Sequence, residues 1–580
     1  MPGKALIPYR KPARRAPQRK TVKLERTRTV PPPAVVKIAR VVDEATGFAY
    51  DRFAAKSDLG QPVQVDVQSD KSEKPGEVLA ELRKRNAALT AKASMDAVKA
   101  AIDAEPLHHL RHAAQPGWYP SQPDAFVRPT HTVGAILGVE KVLPPRSADV
   151  KRQIVFSNGG TVEDWRKGVA QYASRSTRIT LMMGAAFAGP LVRLLGLQSF
   201  GVLLFGPPKS GKSTAQVVAG SIVGLRNEEA LPNFKATNAA LDQIAIQCND
   251  ALLPINEAAL LGKEGFTKLG PLLYGLSEGK DRTRHDAWNH AVDVGAAGWR
   301  LVYVLSSEQS AEELAADKGM TRAGDVYRCL DVPAVHGGHE TIFDRRPKGI
   351  SEEVFTRCAH KWMDKIRKAC ELHHGVAFDT YLRGLIKLGD KLKPRAQAYV
   401  DEFVGSLNLK GADGAIKHAA RNFGVIYAGL RLAMEVGPLV GIGRPGAVRA
   451  AIKSCFRDGL KVTRARDTRL AEAKVILHQR LQDTALPRKE DLQPNRDVGF
   501  RTVEGGIEVV SIRSTEFVRW FEGKPAHLHA LLAWLDEQGA LRKSHEGKRP
   551  AGRGYEWAVT SPRAQGFKGR CIVLRLPIPK

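Results

Sequence analysis

An apolar segment that leads into a glycine-bounded loop constrains this chain more than any other feature. Phe200–Phe205 is apolar throughout, and residues 206–213 read GPPKSGKS. The pattern G-x-x-x-x-G-K-S needs a strand, a tight loop and a helix, because glycines at both ends let the backbone wrap around an anion. Residues 214–223 continue as a helical segment, whose N-terminus adds a favourable dipole. The segment therefore predicts an α/β fold with a phosphate-binding loop, rather than a chance glycine turn.

The loop residues have separate tasks in binding a triphosphate. The Lys212 ammonium is expected to reach the β- and γ-phosphates, and the Ser213 hydroxyl is expected to bind Mg²⁺. The pattern therefore predicts ATP and Mg²⁺ as cofactors. The predicted cofactor-binding residues are Gly206, Pro207, Pro208, Lys209, Ser210, Gly211, Lys212, Ser213 and Thr214.

Charge is the second strong signal. Among 580 residues, 89 are Lys or Arg and 61 are Asp or Glu, which gives a formal net charge of +28. Such an excess repels itself unless a polyanion neutralises it, so DNA or another nucleic acid is the favoured partner and an anionic membrane the weaker option. The chain is 43% hydrophobic, so most of it is expected to fold. Its length predicts about three or four domains.

Cysteine and apolar patterns argue against secretion and membrane insertion. The six cysteines form no CxxC pair, which indicates reduced thiols in a cytoplasmic protein. The basic N-terminus lacks the apolar segment that a secretion signal requires. The longest apolar run, residues 179–197, contains Pro190 and Arg193. It therefore predicts a buried helix, and no membrane partner.

Composition and periodicity divide the chain into five segments. Residues 1–33 are rich in Lys, Arg and Pro, which predicts a disordered basic arm, either a solvated tail or a non-specific phosphate contact. Three folded segments are expected next: an N-terminal α+β domain at 34–158, an ATPase core at 159–350 and a helical subdomain at 351–467. Within the first, we expect strands at 63–67 and 125–127 and helices at 78–89 and 95–102.

Two further signals mark the ends of the folded region. Thr161 and Asp164 form a capping box that begins the ATPase core with a helix and turns Trp165 inward. The last segment, 468–580, has helices near 515–521 and 526–535 followed by basic, glycine-rich strands, which is the outline of a winged-helix domain. In that reading, Lys548, Arg549 and Arg553 contact the DNA backbone. A small α+β protein-interaction domain is the alternative.

A second apolar strand, residues 251–255, ends in polar residues. Glu257 at the strand end is the expected catalytic base that activates water. Asn256 occupies the preceding position, where a metal-binding Asp is usual. An amide can orient a metal-bound water but cannot neutralise charge, so weaker Mg²⁺ binding and slower turnover are expected. The upstream Asp250 is a candidate for partial compensation.

A third strand and a basic loop complete the pattern. Residues 301–305 lead to Ser306 and Ser307, either of which could sense the γ-phosphate and position the attacking water. Between the second and third strands lies a loop with Lys280, Arg282 and Arg284. It is either a solvated charge run or a hairpin that follows a DNA backbone in the channel of a ring-shaped motor.

Arg328 precedes a further apolar segment, residues 329–334. It is a candidate arginine finger that acts on the nucleotide of a neighbouring subunit. An ordinary surface arginine is the alternative, and Arg322 is a rival for the same role.

The order of these motifs resembles one bacterial family. The shared signals are Gly117-Trp118, the capping-box segment 160–165, the phosphate loop, the second strand, the basic loop and the segment that ends at Arg328. Together they resemble domain-of-unknown-function family 927, helicase-like P-loop ATPases of phages and mobile genetic elements. The resemblance covers about residues 35–435, and the family pattern has Asp where this chain has Asn256.

The resemblance implies a fold and an activity. The implied fold is a P-loop AAA+ type ATPase core with an N-terminal α+β domain, a helical subdomain and a C-terminal winged-helix domain. The implied assembly is a homo-oligomeric, hexameric ring that couples ATP hydrolysis to movement on DNA. Carried over by position, Lys212 and Ser213 hold nucleotide and metal, Glu257 is the base, Ser306 or Ser307 the sensor, and Arg328 the trans-acting arginine.

Two functional hypotheses remain open. The first is an ATP-dependent DNA helicase or translocase that acts as an oligomeric ring in the replication of a phage or mobile genetic element. The second is an ATP-switched DNA-binding or initiator protein with weak or no hydrolysis, for which Asn256 is the best support. A disaggregase-type ATPase is disfavoured by the basic charge.

Overall fold

The computed structural model describes most of the chain in two compact units. The first contains residues 34–39 with Tyr50–Leu107, and the second contains Arg40–Ala49 with the chain from His108 onward. The described residues are 34–89, 91–119, 124–135, 141–146, 154–233, 238–256, 265–279, 284–285, 291–292, 298–311, 328–542, 559–560, 566–567 and 569–578. The predicted basic arm at 1–33 lies outside them.

The first unit packs short helices on antiparallel strands. Its elements are the first part of β1 (Val35–Asp43), β2 (Ala49–Lys56), β3 (Pro62–Gln68), α1 (Ser69–Ser72), α2 (Pro75–Lys84) and α3 (Ala91–Asp103). The last residues of β1, from Arg40, belong to the second unit. Strands β2 and β3 pair antiparallel, with Phe53 opposite Val65. Phe53, Val78 and Val98 are fully buried in the core of this unit. The predicted strand at 63–67 and the predicted helix at 95–102 are confirmed, whereas the helix predicted at 78–89 begins earlier and ends at Lys84.

The second unit begins with small sheets. Its first strands are β4 (His109–His112), β5 (Gly117–Tyr119), β6 (Ala125–Val127), β7 (Thr132–Gly134) and β8 (Lys141–Leu143). Strand β4 pairs parallel with residues 40–43 and with β8, whereas β5, β6 and β7 form an antiparallel meander. The predicted strand at 125–127 is β6.

A parallel four-stranded sheet is the centre of the second unit. Its strands are β9 (Phe200–Phe205), β10 (Leu252–Ile255), β13 (Val302–Ser307) and β14 (Cys329–Pro333), in the order β10-β13-β9-β14. A two-stranded antiparallel ribbon, β11 (Arg284–His285) with β12 (Ala291–Val292), lies between β10 and β13 in the chain. The described chain is therefore a mixed α/β protein with several sheets.

Helices accompany this sheet. They are α4 (Val162–Gly168), α5 (Thr177–Leu194), α6 (Lys212–Val223), α7 (Asn238–Gln247) and α8 (Gly265–Glu278). Thr161 caps α4 by accepting from the Asp164 N–H at 3.1 Å, and Trp165 is fully buried, as the capping box predicts. The predicted apolar helix is α5, which is buried along most of its length and contains Pro190. Among the described helices, none is apolar over a length that could cross a membrane.

Five helices follow the sheet. They are α9 (Glu352–Leu372), α10 (Val376–Leu388), α11 (Leu392–Leu407), α12 (Gly414–Val436) and α13 (Pro445–Asp483). Helix α13 contributes Phe456 to the large core around the sheet and Leu477 to a separate C-terminal core. The expected division between residues 467 and 468 therefore falls inside one continuous helix.

The C-terminal core combines two helices with an antiparallel sheet. Its elements are β15 (Gly499–Glu504), β16 (Ile507–Arg513), α14 (Ser514–Arg519), α15 (Pro525–Glu537), β17 (Val559–Thr560) and β18 (Arg570–Leu576). The sheet order is β15-β16-β18-β17. The two helices and the last strand were expected from the sequence. The β15–β16 hairpin was not, although its Gly505-Gly506 turn, with both φ angles positive, is a strong hairpin signal.

Candidate nucleotide-binding site

The glycine-bounded loop lies at the carboxyl end of β9 and ends at the first residue of α6. Its backbone bonds to neighbouring segments at two points: the Gly206 N–H donates to Ser307 O (3.2 Å), and the Ile342 N–H donates to Ser210 O (2.8 Å). Directly before the loop, the Ala334 N–H donates to O of Phe205, the last residue of β9 (2.7 Å). The loop and the strand end before it are thus attached to the neighbouring strand β13 and to the segment after β14. A loop fixed on several sides keeps one shape, which favours binding of a rigid anion such as a phosphate.

Three residues of the loop adopt conformations that L side chains rarely take, and the first of them is Gly206 with φ +153°. Gly211, the N-cap of α6, has φ +102°, and Lys209 has φ +61°. A Cβ atom on Gly211 would lie 2.7 Å from Met363 Sδ and 3.0 Å from Ile342 Cγ1. Glycine is therefore required at position 211 both for the backbone turn and for the close approach of helix α9.

Lys212 points back across the loop. Its Nζ donates to Gly206 O and to Pro207 O, both at 2.8 Å. The ammonium is therefore held above the loop backbone at the N-terminus of α6, where the helix dipole and the positive charge both favour an anion.

The predicted sensor and metal residues come together at the neighbouring strand ends. Strand β13 lies between β9 and β10, with Ser306 in register with Leu204 of β9. Ser306 Oγ donates to Asn256 Oδ1 at 3.1 Å. Asn256, Ser306 and Ser307 are all buried, with 9%, 2% and 3% exposure. The structure thus brings Asn256 and Ser306 into direct contact beside the loop strand.

A glutamate and an arginine that sequence reasoning missed extend this contact. Asn256 Nδ2 donates to Glu228 Oε1 at 3.2 Å. Glu228 Oε2 lies 4.0 Å from an Arg367 guanidinium nitrogen, and Arg367 Nε donates to Thr214 Oγ1 at 3.0 Å. A polar chain therefore runs from Ser306 through Asn256, Glu228 and Arg367 to the first turn of α6. Glu228 follows α6 in a loop and Arg367 lies in α9, so no motif spacing marks either residue.

These elements enclose a cavity of about 650 Å³. Its wall includes loop residues from Pro208 to Ser213, both strand-end serines and Glu308. Helix α9 supplies the opposite side with four side chains: His360, Met363, Asp364 and Arg367. A volume of this order is within the range of small-molecule sites.

A buried glutamine joins α6 to the strands that carry the site. Gln216 Nε2 donates to Ile255 O at 2.9 Å and to Val304 O at 3.3 Å. These carbonyls lie next to Asn256 and close to Ser306. Gln216 therefore fixes the helix that follows the loop against both β10 and β13.

The expectation that Asp250 compensates for Asn256 is wrong. Asp250 lies before β10, whereas Asn256 follows it, and six residues of extended chain span roughly 20 Å. Asp250 is fully buried, pairs with Arg193 at 2.8 Å and accepts the Trp118 N–H at 3.1 Å. Burial raises the pKa of Asp250 to about 6, and Arg193 partly offsets that shift. Asp250 holds Trp118 and Arg193 together at the far edge of the sheet.

Arg328 lies at the end of the sheet opposite to the loop. Its carbonyl accepts from the Gly201 N–H (2.8 Å), near the start of β9, and its guanidinium stacks 4.6 Å from the centre of the Tyr274 ring. The loop begins only after β9 ends. Arg328 is therefore remote from the cavity of its own chain.

Several predicted residues lie outside the described part of the chain. They are Glu257, Lys280, Arg282, Lys548, Arg549 and Arg553. Arg284 is described as part of β11, where its backbone pairs with Val292 of β12.

The oxygen-rich end of this site suits Mg²⁺. The Ser213 hydroxyl and the Glu308 and Asp364 carboxylates line the cavity, and the Asn256 amide contacts Ser306 of its wall. Oxygens of these types are the hard ligands that Mg²⁺ prefers. Glu228, which is bonded to Asn256, lines a neighbouring cavity that shares Arg367 with this one. Within the described residues, no cluster of three or more His, Cys, Asp or Glu side chains is arranged for a metal. The donor set is thus suited to a metal that arrives with phosphates, rather than to a metal held by protein groups alone.

Comparison with known proteins identifies part of the chain. Residues 63–292 match the family described as "Domain of unknown function (DUF927)". The predicted family resemblance is confirmed for this segment. The DUF927 segment includes the loop, Asn256 and Glu228, and it ends before Ser306 and Arg328. No curated protein matches the chain in sequence.

Solved structures resemble the chain in fold. A structure described as "SCCmec type IV Cch - active helicase" is similar over 94% of this chain and 93% of its own, with 15% identity and a TM-score of 0.55. A structure of the C-terminal region of NrS-1 aligns with 72% of this chain and 91% of its own, with 11% identity. Its TM-score of 0.24 is too low for a conclusion about the fold. The DUF927 segment therefore lies within a chain that shares its fold with a helicase.

Proposed function

We propose that this chain is an ATP-dependent DNA helicase or translocase that works as an oligomeric ring in the replication of a phage or mobile genetic element. One observation carries the proposal: the fixed loop with Lys212 lies beside the Ser306–Asn256 pair, across one cavity. A triphosphate held by the loop would have its terminal phosphate next to polar groups that can orient water.

The order of the strands supports a P-loop AAA+ core. A sensor on a third strand can reach the γ-phosphate only if that strand lies beside the loop strand. Strand β13 has this place, between β9 and β10. The proposed division keeps the expected N-terminal domain, core, helical subdomain and C-terminal domain, although the chain from His108 onward belongs to the second compact unit and α13 spans the last boundary.

Each proposed catalytic role belongs to a named side chain. Lys212 binds the β- and γ-phosphates, Ser213 and Asn256 face the metal, Ser306 or Ser307 senses the γ-phosphate and Glu257 accepts the proton of the attacking water. When bound, Mg²⁺ would neutralise charge on the phosphates. Arg367, which lines the same cavity, adds a positive charge from helix α9.

DNA binding is proposed from charge and from the C-terminal core. The net charge of +28 favours a polyanionic partner. The C-terminal core has two helices on an antiparallel sheet, which supports a winged-helix assignment. Lys280, Arg282 and Arg284 are proposed to follow the DNA backbone within the ring, and Lys548, Arg549 and Arg553 to contact it from the wing. The fold likeness to a protein described as an active helicase supports the same function.

One observation favours the second candidate, an ATP-switched DNA-binding protein. Asn256 is neutral and both of its amide atoms have hydrogen-bond partners in the protein. An amide whose two polar atoms are both bonded to the protein is compatible with nucleotide binding and assembly at a slow rate of hydrolysis.

Steady-state ATP hydrolysis, measured with and without single-stranded DNA, separates the two candidates. A motor is expected to hydrolyse ATP faster with DNA, and Lys212→Ala is expected to lose both nucleotide binding and hydrolysis. Lys391→Ala, an exposed lysine outside the cavity, is the matched control and should behave as wild type. Nucleotide-dependent DNA binding without DNA-stimulated hydrolysis would establish the switch and reject the motor.

A further inference from the structure

The position after β10, where P-loop ATPases commonly have a metal-binding Asp, is occupied in this chain by a paired amide. Asn256 accepts from Ser306 Oγ at 3.1 Å and donates to Glu228 Oε1 at 3.2 Å. The nitrogen of the amide is thus directed at a carboxylate. Only a side chain with both an acceptor and a donor can make this pair of contacts.

An aspartate could not make the second contact. It has no N–H to donate, so Asp at position 256 would place two carboxylates where the structure has an amide and a carboxylate 3.2 Å apart. Two carboxylates at such a distance do not both ionise readily, and one pKa rises. Asn256 and Glu228 are therefore matched, and the negative charge that an Asp would carry is present on Glu228.

Glu228 is also close to the first turn of α6. Its other oxygen is 4.0 Å from Arg367, whose Nε donates to Thr214 Oγ1 at 3.0 Å. Thr214 directly follows Ser213, the proposed metal-binding hydroxyl. The Glu228 side chain is 36% exposed, and its hydrogen bond to Asn256 places its charge next to the strand end beside the loop.

We propose that Glu228 supplies to the nucleotide-bound Mg²⁺ the negative charge that Asn256 lacks. The inference rests on the proposed binding of ATP to the Lys212 loop. It assigns a role to a residue outside the strand that carries Asn256 and Glu257. In this arrangement, which we call the relocated acid, Asn256 is hydrogen-bonded to Glu228 and Glu228 carries the carboxylate.

Metal-dependent nucleotide affinity tests the assignment without hydrolysis. The dissociation constant of a slowly hydrolysed ATP analogue, ATPγS, is measured by calorimetry in Mg²⁺ and in EDTA. Wild type should bind more tightly in Mg²⁺. In Glu228→Gln, the ratio of the dissociation constant in EDTA to that in Mg²⁺ should be about tenfold smaller than in wild type. Its affinity in EDTA should be unchanged or higher, because one negative charge beside the phosphates has been removed.

Glu229→Gln is the matched control, because it makes the same chemical change at the next residue, which is exposed. It should keep the wild-type gain in Mg²⁺. A merely structural role of Glu228 predicts that Glu228→Gln weakens binding equally in Mg²⁺ and in EDTA, and this result would overturn the proposal. An unchanged Mg²⁺ gain in Glu228→Gln would overturn it as well.

The charge swap gives an independent test. Glu228→Gln with Asn256→Asp moves the carboxylate back to the strand and should recover most of the Mg²⁺ gain. Asn256→Asp alone should show a smaller gain of affinity in Mg²⁺ than the double variant, because its two carboxylates repel each other. Failure of the swap while Asn256→Asp alone strengthens Mg²⁺ binding would reject the relocated acid. If wild type itself binds no ATPγS, the proposed function fails, which is a different outcome.

Discussion

Gly211 is a residue whose identity is set by two independent constraints. Its φ of +102° belongs to the region that favours glycine, and its missing Cβ leaves room for Met363 of helix α9. The sequence pattern predicts a glycine for the first reason alone. The second could not be predicted, because helix α9 approaches from a part of the chain about 150 residues away.

Gly211→Ala should lower stability by roughly 1–3 kcal/mol, because the new methyl group meets Met363 in a strained backbone. Gly405→Ala is the control. Gly405 lies in helix α11, where an added methyl group would meet no atom within 4 Å, so alanine should stabilise by about 0.5–1 kcal/mol. Thermal unfolding midpoints measure both. Equal midpoints for the two variants would contradict the steric argument.

Asp250 should give stability a distinctive pH dependence. Its pKa of about 6 in the fold lies above its ordinary value of 3.8. The folded state therefore holds this proton more tightly, so stability is lost as pH rises from about 4 to about 6. Compared with Asp250→Asn, wild type should lose on the order of 1–3 kcal/mol across that interval. Unfolding midpoints of both proteins from pH 4 to 7 test this. A relative gain for wild type would mean that Arg193 outweighs burial.

At the level of elements, helix α6 is coupled to the strands that carry the site. Gln216 bridges α6 to the carbonyls of Ile255 and Val304, and the loop backbone bonds to Ser307 of β13. The loop, helix α6 and the strands β10 and β13 are therefore joined by hydrogen bonds as well as by packing.

Gln216→Leu should destabilise the protein by about 1–3 kcal/mol, because two buried carbonyls lose their donor. Gln171→Leu is the control, since Gln171 is exposed in the short helix before α5, and its effect should stay within about 0.5 kcal/mol. Urea unfolding measures the difference. If Gln216→Leu is as stable as the control, the bridge does not hold the helix to the strands.

The strands of the central sheet were predictable, because each is a short apolar run that ends in a polar motif. The residues around Lys212, Asn256 and Ser306 followed from these strand ends. Glu228 could not be predicted, because its contact with Asn256 spans 28 residues of loop and helix. The expectation for Asp250 was wrong because Asp250 and Asn256 are close in sequence but lie at opposite ends of the same strand.

At the level of the whole molecule, Arg328 has no access to the loop of its own chain. It lies beside Gly201 and Tyr274, at the amino end of the sheet. If it acts on a nucleotide, that nucleotide belongs to a neighbouring copy, which requires a head-to-tail contact between copies.

Mixing two inactive variants tests this arrangement. Lys212→Ala lacks a working loop and Arg328→Ala lacks the trans-acting arginine, so each alone should be inactive. In an equal mixture, about a quarter of the interfaces should combine an intact loop with an intact arginine, if subunits assort at random. ATP hydrolysis of the mixture should therefore recover to about that fraction. No recovery, with assembly intact, would exclude a trans-acting Arg328.

ATP turnover at the Lys212 loop is proposed to drive movement on DNA. Strand separation on a forked DNA, measured by fluorescence with ATP and with ATPγS, tests it most directly. Wild type is expected to unwind the fork with ATP and to unwind little of it with ATPγS, and Lys212→Ala is expected to unwind none. DNA binding by wild type without strand separation in ATP would contradict the motor and leave the ATP-switched DNA-binding protein in its place.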